Sequence, residues 1–229
     1  MFGLSTDAHK KHIQAVKRIL KKNSPESLTS QSLKTLEMFF GGMTVEEIQN
    51  QSKEYWSAVV LDFLKFVKKL TNQPLIRVIN PTKKVNGYSN HNSILQLASP
   101  DMPFIVDSVA LAIAKCQHRI DLMTHPVAVL GRTKAGVLKE IKQTASDKES
   151  WMHIELNQHL DVKESKILED ELQQIMAKIS ACVAGWMPML EKLEQAKEDL
   201  SFEKDESTFK KQLKFFNWLK EDNFTFLGY

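Results

Sequence analysis

The sequence predicts an α+β fold, in which an N-terminal helical region precedes an antiparallel sheet backed by helices. Three observations carry this prediction. Apolar residues recur at helical spacing through the first seventy residues. Short β-branched or alternating runs, bounded by proline and glycine, come next. Helical spacing then returns at about residue 162 and persists until a last aromatic run.

The helical region is predicted to hold three helices. The first covers residues 7–22 and the second residues 28–40. Gly41–Gly42 should end the second helix, because glycine adopts the left-handed conformation of a helix end at low cost. Thr44 and Glu47 have the spacing of a capping box, in which each side chain binds the backbone N–H of the other residue. The third helix is predicted to start there and to run to the end of the region.

The order of elements from about residue 93 predicts a ferredoxin-like unit. It is strand, helix, strand, strand, helix, strand, the β-α-β-β-α-β plan. The first strand is Ile94–Ala98, and the last is the terminal run Phe224–Tyr229. Between them, residues 151–157 alternate strictly, so that His153 and Glu155 share one face of a strand.

Prolines mark predicted interruptions in both kinds of element. Pro126 lies within the strand predicted over residues 120–130, and it indicates an edge or a bulge because proline has no N–H to donate. Pro188, shortly after Gly185, is predicted to kink or break the long helix.

These patterns predict two domains. A helical region covers residues 1–72, and an α/β domain with long C-terminal helices covers residues 73–229. An aromatic, strand-like run usually continues into a partner strand. We therefore expect the terminal run Phe224–Tyr229 to be the point at which a longer protein has been cut. The alternative is that this run completes the domain's own sheet.

Composition excludes several classes of protein. The chain is 42% hydrophobic and 26% charged, which is ordinary for a globular protein and excludes global disorder. The net charge is only +3 and the basic residues occur in short pairs, so no nucleic-acid partner is expected. No signal peptide or membrane-length apolar run occurs, so we expect no membrane partner and a cytoplasmic location. Two cysteines are too few for a disulfide framework.

No catalytic, cofactor-binding or metal-ligating residue is predicted. The eight glycines form neither a dinucleotide-binding turn nor a phosphate-binding loop. His153, Glu155 and His159 suggest a metal site, but a firm third ligand is missing. The alternative for these residues is a polar strand face that is exposed or faces an interface. Cys116 and His118 lack the third group that orients a catalytic base.

One loop is the candidate effector or interface site. Its candidate residues are Pro100, Asp101, Met102, Pro103, Phe104 and Asp107. The loop joins the first strand of the ferredoxin-like unit to its first helix, with Pro103 expected at the first helical position. The free N–H groups and the positive dipole end of that helix suit a carboxylate ligand such as an amino acid. The alternative is that Asp101 only caps the turn, while Phe104 and Val106 enter the core.

Five short segments carry a family resemblance. They are Asp101–Val109, His125–Val127, Met152–Glu155, Trp186–Leu190 and Phe224–Tyr229. In this order they resemble the N-terminal signature of the large bacterial NAD-dependent glutamate dehydrogenases, from about residue 93 to the end. The first ninety residues resemble no family that their motifs identify.

The resemblance implies an enzyme whose catalytic part lies elsewhere. These dehydrogenases oxidise L-glutamate to 2-oxoglutarate and ammonia with NAD, in a far C-terminal region absent from this chain. The implied cofactor is therefore NAD in the parent enzyme and none in this segment. The N-terminal part of the family is similar to ACT domains, which share the ferredoxin-like plan. ACT domains commonly pair side by side and bind amino acids near the first strand-to-helix loop.

One departure from the ACT pattern concerns the candidate loop. The usual ACT loop reads Asp-x-Pro-Gly, in which glycine lets the backbone approach a ligand closely. Phe104 stands at the glycine position in this chain. Its benzyl group is expected to occupy space that an effector needs, which favours a structural unit without a ligand.

Taken together, the resemblance implies an N-terminal regulatory or assembly segment of a large NAD-dependent glutamate dehydrogenase. The expected partners are the rest of the parent chain, further copies in a homo-oligomer, and an amino-acid effector. One alternative is a free-standing ACT-like regulatory protein that binds amino acids without enzymatic activity. Another is an enzyme complete within these residues, which the missing motifs disfavour.

Overall fold

The computed structural model describes residues 7–70, 73–142, 148–199 and 206–228. Its helices are α1 (Asp7–Asn23), α2 (Thr29–Gly41), α3 (Val45–Gln49), α4 (Lys53–Phe66), α5 (Lys83–Asn86), α6 (Ile105–Lys115), α7 (Val162–Asp199) and α8 (Glu206–Trp218). Its strands are β1 (Leu75–Ile79), β2 (Ile94–Pro100), β3 (Ile120–Thr124), β4 (Val127–Arg132), β5 (Leu138–Ile141) and β6 (Lys148–Leu156). The chain forms two compact units, Met1–Ile175 and Met176–Tyr229.

The N-terminal helices follow the sequence pattern with one difference. The predicted capping box is present: the Thr44 hydroxyl oxygen accepts from the N–H of Glu47 at 3.2 Å, and the Thr44 N–H donates to the Glu47 carboxylate at 2.6 Å. The helix that it starts is only α3, because Ser52 caps a new helix, α4, by accepting from the N–H of Tyr55. Apolar spacing runs on across this break, so periodicity alone did not reveal it.

The sheet is antiparallel and is built around β6. The strand order is β1-β2-β6-β4-β5, and β3 also pairs with β6. Strands β3 and β4 lie one after the other along the same edge of β6. His125 and Pro126 separate them, and Pro126 still accepts a hydrogen bond from the N–H of Trp151 at 3.0 Å. The predicted single strand over residues 120–130 is therefore two strands, divided at the proline that marked it.

The edge position beside β2 is occupied by β1, which comes before β2 in the sequence. Strand β1 pairs with β2 from Leu75 opposite Ala98 to Ile79 opposite Ile94. The predicted closing strand is not formed, because Phe224–Gly228 have no strand structure, and Tyr229 lies outside the described residues. The α+β class is nevertheless confirmed, with N-terminal helices followed by an antiparallel sheet, as expected of an ACT-like domain.

The N-terminal helices cover one face of this sheet. Strand residues alternate between faces, and the face that carries Trp151 packs on α4, where the rings of Phe63 and Trp151 have centroids 5.5 Å apart. On α4, Trp56 and Phe63 are fully buried in the same core. Helices α1–α4 and the sheet thus share one hydrophobic core within the first unit. The predicted domain boundary adjoins residues 71–72, outside the described part, and stays a prediction.

Helix α6 and the first part of α7 lie on the other face. Their buried stripes include Val109 and Leu168, both fully inaccessible to solvent. The Lys115 ammonium on α6 pairs with Glu171 on α7 at 2.7 Å. Glu169 on α7 accepts from the N–H of Val78 in β1 at 2.7 Å, which holds the helix against the sheet edge.

Helix α7 is longer than the sequence indicated. The break predicted at Gly185 and Pro188 does not occur, since one helix spans Val162–Asp199 with Pro188 inside it. Within the second unit, the ring of Phe226 lies 6.0 Å from Trp186 and 5.1 Å from Phe224. None of the helices in the described residues has the length and apolar character that crossing a bilayer requires.

Candidate functional site

A cleft of about 1060 Å³ lies between the end of β2 and the turn that connects β4 to β5. Four segments line it. They are Pro100–Asp101 after β2, the hairpin residues Arg132–Gly136, the pair Lys148–Glu149 at the start of β6, and residues Lys69, Leu70 and Gln73 between α4 and β1. The cleft therefore lies beside the loop that the sequence singled out.

The hairpin wall of the cleft is fixed to the end of α4. The N–H of Leu70 donates to the Gly136 carbonyl at 3.1 Å, and the N–H of Leu138 donates to the Lys68 carbonyl at 2.9 Å. Gly136 has φ of +79°, and a Cβ there would lie 1.8 Å from the Leu70 carbonyl oxygen. Only glycine fits this approach, so the turn over residues 133–136 also holds the wall in place.

Two of the lining residues, Arg132 and Glu149, form an ion pair. Arg132 Nε and Nη2 bind the two oxygens of Glu149 at 2.5 and 2.8 Å. Arg132 Nη1 donates to the carbonyls of Val67 and Gly136, and Trp151 Nε1 donates to Glu149 at 3.0 Å. This bidentate pair is of the strong, charge-assisted kind. Because four of the five guanidinium N–H groups and both carboxylate oxygens are engaged within the protein, the pair shapes the cleft and adds no net charge to it.

Among the predicted site residues, Asp101 is held by both a backbone and a side-chain hydrogen bond. Its N–H donates to the Lys148 carbonyl at 2.9 Å, and its Oδ1 accepts from the Ser150 hydroxyl at 2.6 Å. Burial lowers the pKa of His125, and the nearby Asp101 charge acts in the opposite direction. Asp101 is thus anchored to the start of β6, although its side chain remains at the surface.

Only one of the other predicted loop residues lines the cleft. Pro100 joins Asp101 in lining the cleft, but Met102, Pro103, Phe104 and Asp107 do not line it. Asp107 lies exposed in the first turn of α6. That helix begins at Ile105 and not at Pro103 as expected.

Phe104 adopts the backbone conformation that glycine favours. It caps α6 with φ of +69°, in the left-handed region, and its side chain is 47% exposed. The buried residue of this turn is Ile105, so Phe104 does not enter the core as the alternative interpretation required. Its ring does not line the cleft either. The loop keeps a glycine-like path, while the benzyl group is about half exposed and lies outside the cleft lining.

Sequence reasoning missed the basic residues of the cleft. Lys69, Lys134 and Lys148 are exposed and lie on three different segments. The sequence showed only short, separate runs of basic residues, and no local pattern indicated that these three lysines line one cleft. Lys69 and Lys134 line the same cleft because the hairpin before β5 pairs with the residues after α4, with Val137 bridging Lys69.

The candidate metal residues lie in different environments. His153 is fully buried and Glu155 is 8% exposed, both facing the N-terminal helices, while His159 is exposed. His153 Nδ1 lies 3.1 Å from Gln96 Nε2. Burial, and then the Arg77 charge, lower the pKa of His153 to about 3. Within the described ranges no group of three His, Cys, Asp or Glu side chains is arranged to hold a metal ion. The strand face is polar and faces an interface within the protein.

Comparisons with known proteins agree with the resemblance. A family model described as "Glutamate dehydrogenase, ACT1 domain" matches residues 35–172. The chain is similar to the NAD-specific glutamate dehydrogenase of Pseudomonas aeruginosa, with 26% identity over 204 residues, and to that of Halomonas elongata, with 24% identity over 202 residues. Each alignment covers 84% of this chain and 12% of the relative. The chain thus spans about one eighth of the length of these relatives.

Proposed function

The chain belongs to the glutamate dehydrogenase ACT1 domain family, and from this premise we propose that it is the N-terminal regulatory and assembly segment of a large NAD-dependent glutamate dehydrogenase. The parent enzyme would convert L-glutamate and NAD to 2-oxoglutarate, ammonia and NADH, with NAD bound in a region outside this chain. The family match over residues 35–172 carries the proposal, together with similarity to two NAD-specific glutamate dehydrogenases over 84% of the chain.

The regulatory part of the proposal is supported by the cleft. It opens beside the β2–α6 loop, where the resemblance implies an effector. The loop is anchored through Asp101 to Lys148 and Ser150, and the ring of Phe104 leaves the cleft free. An effector that bound here would contact β2, the β4–β5 hairpin and the start of β6 together. Such binding could change the packing of the whole edge of the sheet.

The assembly part is supported by apolar side chains at the surface of the second unit. The exposed ones are Met187, Phe215, Trp218, Phe224 and Leu227. Phe215 and Trp218 stack with centroids 6.2 Å apart, so part of this set forms a continuous aromatic surface. Exposed aromatic groups of this kind favour protein contacts. The partners we propose are the rest of the parent chain and further copies in a homo-oligomer, in the cytoplasm.

Activity assays test the proposal. NADH formation from glutamate and NAD is measured for the complete reading frame and for the 229-residue chain. We expect activity only from the complete enzyme. In the complete enzyme, Asp101→Ala should change the response of the activity to a panel of amino acids, while the unfolding midpoint stays nearly constant. Turnover by the 229-residue chain alone would contradict the assignment. A reading frame that ends at Tyr229 would instead favour the free-standing regulatory protein.

A further inference from the structure

We infer that the cleft between the β2–α6 loop and the β4–β5 hairpin binds a small anion that carries two or more negative charges. The ligand class is a compound with several carboxylate groups or with phosphate groups, and not a zwitterionic amino acid with an uncharged side chain. A regulatory meaning of this binding rests on the proposed function, whereas the binding itself does not.

The positive charge of the cleft comes from three lysines on separate segments. Lys69 follows α4, Lys134 lies at the tip of the hairpin, and Lys148 begins β6. All three side chains are exposed, and none makes an ion pair with another described residue. Three cations on one concave surface, without an ion-pair partner among the described residues, raise the local concentration of anions.

The carboxylates of the cleft do not balance these lysines. Both oxygens of Glu149 are occupied by Arg132 and Trp151, so this pair contributes no net charge. Asp101 is the remaining carboxylate among the described lining residues, and one of its oxygens already accepts from Ser150. An ammonium group entering the cleft would meet one partly engaged carboxylate, whereas an anion would meet three ammonium groups.

A neutral donor and a fixed wall complete the site. The hydroxyl oxygen of Thr133, Oγ1, accepts a hydrogen bond from the N–H of Val137 at 3.1 Å. The hydroxyl proton of Thr133 is therefore available to donate to a ligand. The close contact between Gly136 and Leu70 keeps the hairpin in place before any ligand arrives. A preformed site loses less conformational entropy on binding. Since single exposed charge pairs contribute little, two or more negative charges on one ligand are needed to use these cations together.

Calorimetry on the 229-residue chain tests this inference. Citrate represents carboxylates and inorganic pyrophosphate represents phosphates, while leucine and glutamine are the zwitterionic controls. We expect at least one of the two anions to bind with one-to-one stoichiometry, and to bind more weakly as salt is raised. The double variant Lys69→Ala/Lys134→Ala should weaken binding at least tenfold. The matched control Lys163→Ala removes an exposed lysine at the start of α7 and should leave binding unchanged.

Several results would overturn the inference. The first is that neither anion binds saturably. The second is that leucine or glutamine binds as tightly as the anions or more tightly. The third is that the double variant and Lys163→Ala bind the anion with equal affinity. Thermal unfolding without ligand checks that the variants are folded, which is expected because the replaced side chains are at the surface. These outcomes are separate from the activity assay above, since anion binding can fail while the complete enzyme still forms NADH.

Discussion

The two faces of β6 meet helices in different ways. One face carries Met152, Ile154 and Leu156, which are fully buried. The other face carries Trp151, His153 and Glu155, of which two are titratable and none is more than 8% exposed. The first face needs only apolar area, whereas the second requires partners with matching hydrogen bonds. The comparison teaches that the N-terminal helices are joined to the sheet by more selective contacts than α6 and α7.

The selective contacts form a relay across three strands. Arg77 Nη2 on β1 binds the Asp62 carboxylate of α4 at 2.6 Å. Arg77 Nε and Nη2 also donate to Gln96 Oε1 on β2 at 2.9 and 2.6 Å. Because an arginine can only donate, the Gln96 oxygen must face Arg77, and its amide nitrogen must donate to His153 Nδ1. The relay therefore requires the neutral form of His153 with its proton on Nε2.

A second contact on the same face joins α4 to β6 directly. The Tyr55 hydroxyl donates to Glu155 Oε1 at 2.7 Å. Asn90 Nδ2 binds both the Tyr55 oxygen and Glu155 Oε2. Buried charges in such networks add little net stability, but removing one member is costly. We therefore expect the polar face to determine which helices pack there, and the apolar face to supply more of the stability.

The largest expected effect is on the apolar face. Ile154→Ala should lower the free energy of unfolding by about 4 kcal/mol, through lost burial and the cavity that remains. Urea unfolding measures it, with the milder Ile154→Val as a control at about 1 kcal/mol. A loss below that of the control would show that the helices on this face repack easily, and the comparison would then fail.

The next effect tests the relay by leaving a charge without its partner. Arg77→Ala should lower the free energy of unfolding by about 3 kcal/mol, because the Asp62 side chain is only 6% exposed and would lose its cation. The double variant Asp62→Leu/Arg77→Met should recover most of this loss in the same urea experiment. If the double variant is as unstable as the single one, the loss is due to packing and not to the unpaired carboxylate.

The pH dependence of stability tests the neutral state of His153. Its pKa is about 3 in the folded protein, against about 6.5 in an unfolded chain. Below pH 6.5 the unfolded state takes up a proton that the folded state does not, so stability falls as pH is lowered from 6.5 toward 3. The loss should be about 2 kcal/mol at pH 5. Unfolding midpoints between pH 8 and 5 measure it, and His153→Gln should reduce the slope. An unchanged slope in this variant would refute the assignment.

The smallest effect concerns a single hydroxyl. Tyr55→Phe should lower the free energy of unfolding by about 1 kcal/mol, because Glu155 keeps its bond from Asn90 and loses only the tyrosine. Thermal unfolding measures the change, and Tyr88→Phe is the matched control on the same aromatic cluster. A loss no larger than that of the control would show that the Tyr55 hydrogen bond does not stabilise the protein.

Local signals in the sequence predicted much of this fold. The capping box at Thr44 depends only on neighbouring residues, and the structure has it where it was expected. The break before α4 was missed because one serine, Ser52, decides it within continuous apolar spacing. The interruption at Pro188 was predicted and did not form, since a missing N–H can be tolerated within a long helix.

Long-range pairing explains what the sequence could not show about the cleft. The loop at Asp101 was found because it has a local pattern, a strand followed by proline and the start of a helix. The lysines were not found, because Lys69 and Lys134 are 65 positions apart in the chain and line one cleft only after long-range contacts, such as the bridge between Lys69 and Val137, have formed. In the same way, the edge position of β1 depends on which strand reaches β2, and not on the residues of β1 alone.

The left-handed backbone at Phe104 has a consequence for which residues this position tolerates. A side chain there gains little from burial, since nearly half of it is in solvent, yet every residue except glycine has to accept an unfavourable φ. Position 104 should therefore accept glycine or asparagine easily and reject valine, isoleucine and threonine, whose branched Cβ atoms clash in this region. Selection from a library of substitutions at this position would recover a narrow set of residues, chosen for the backbone conformation that they tolerate.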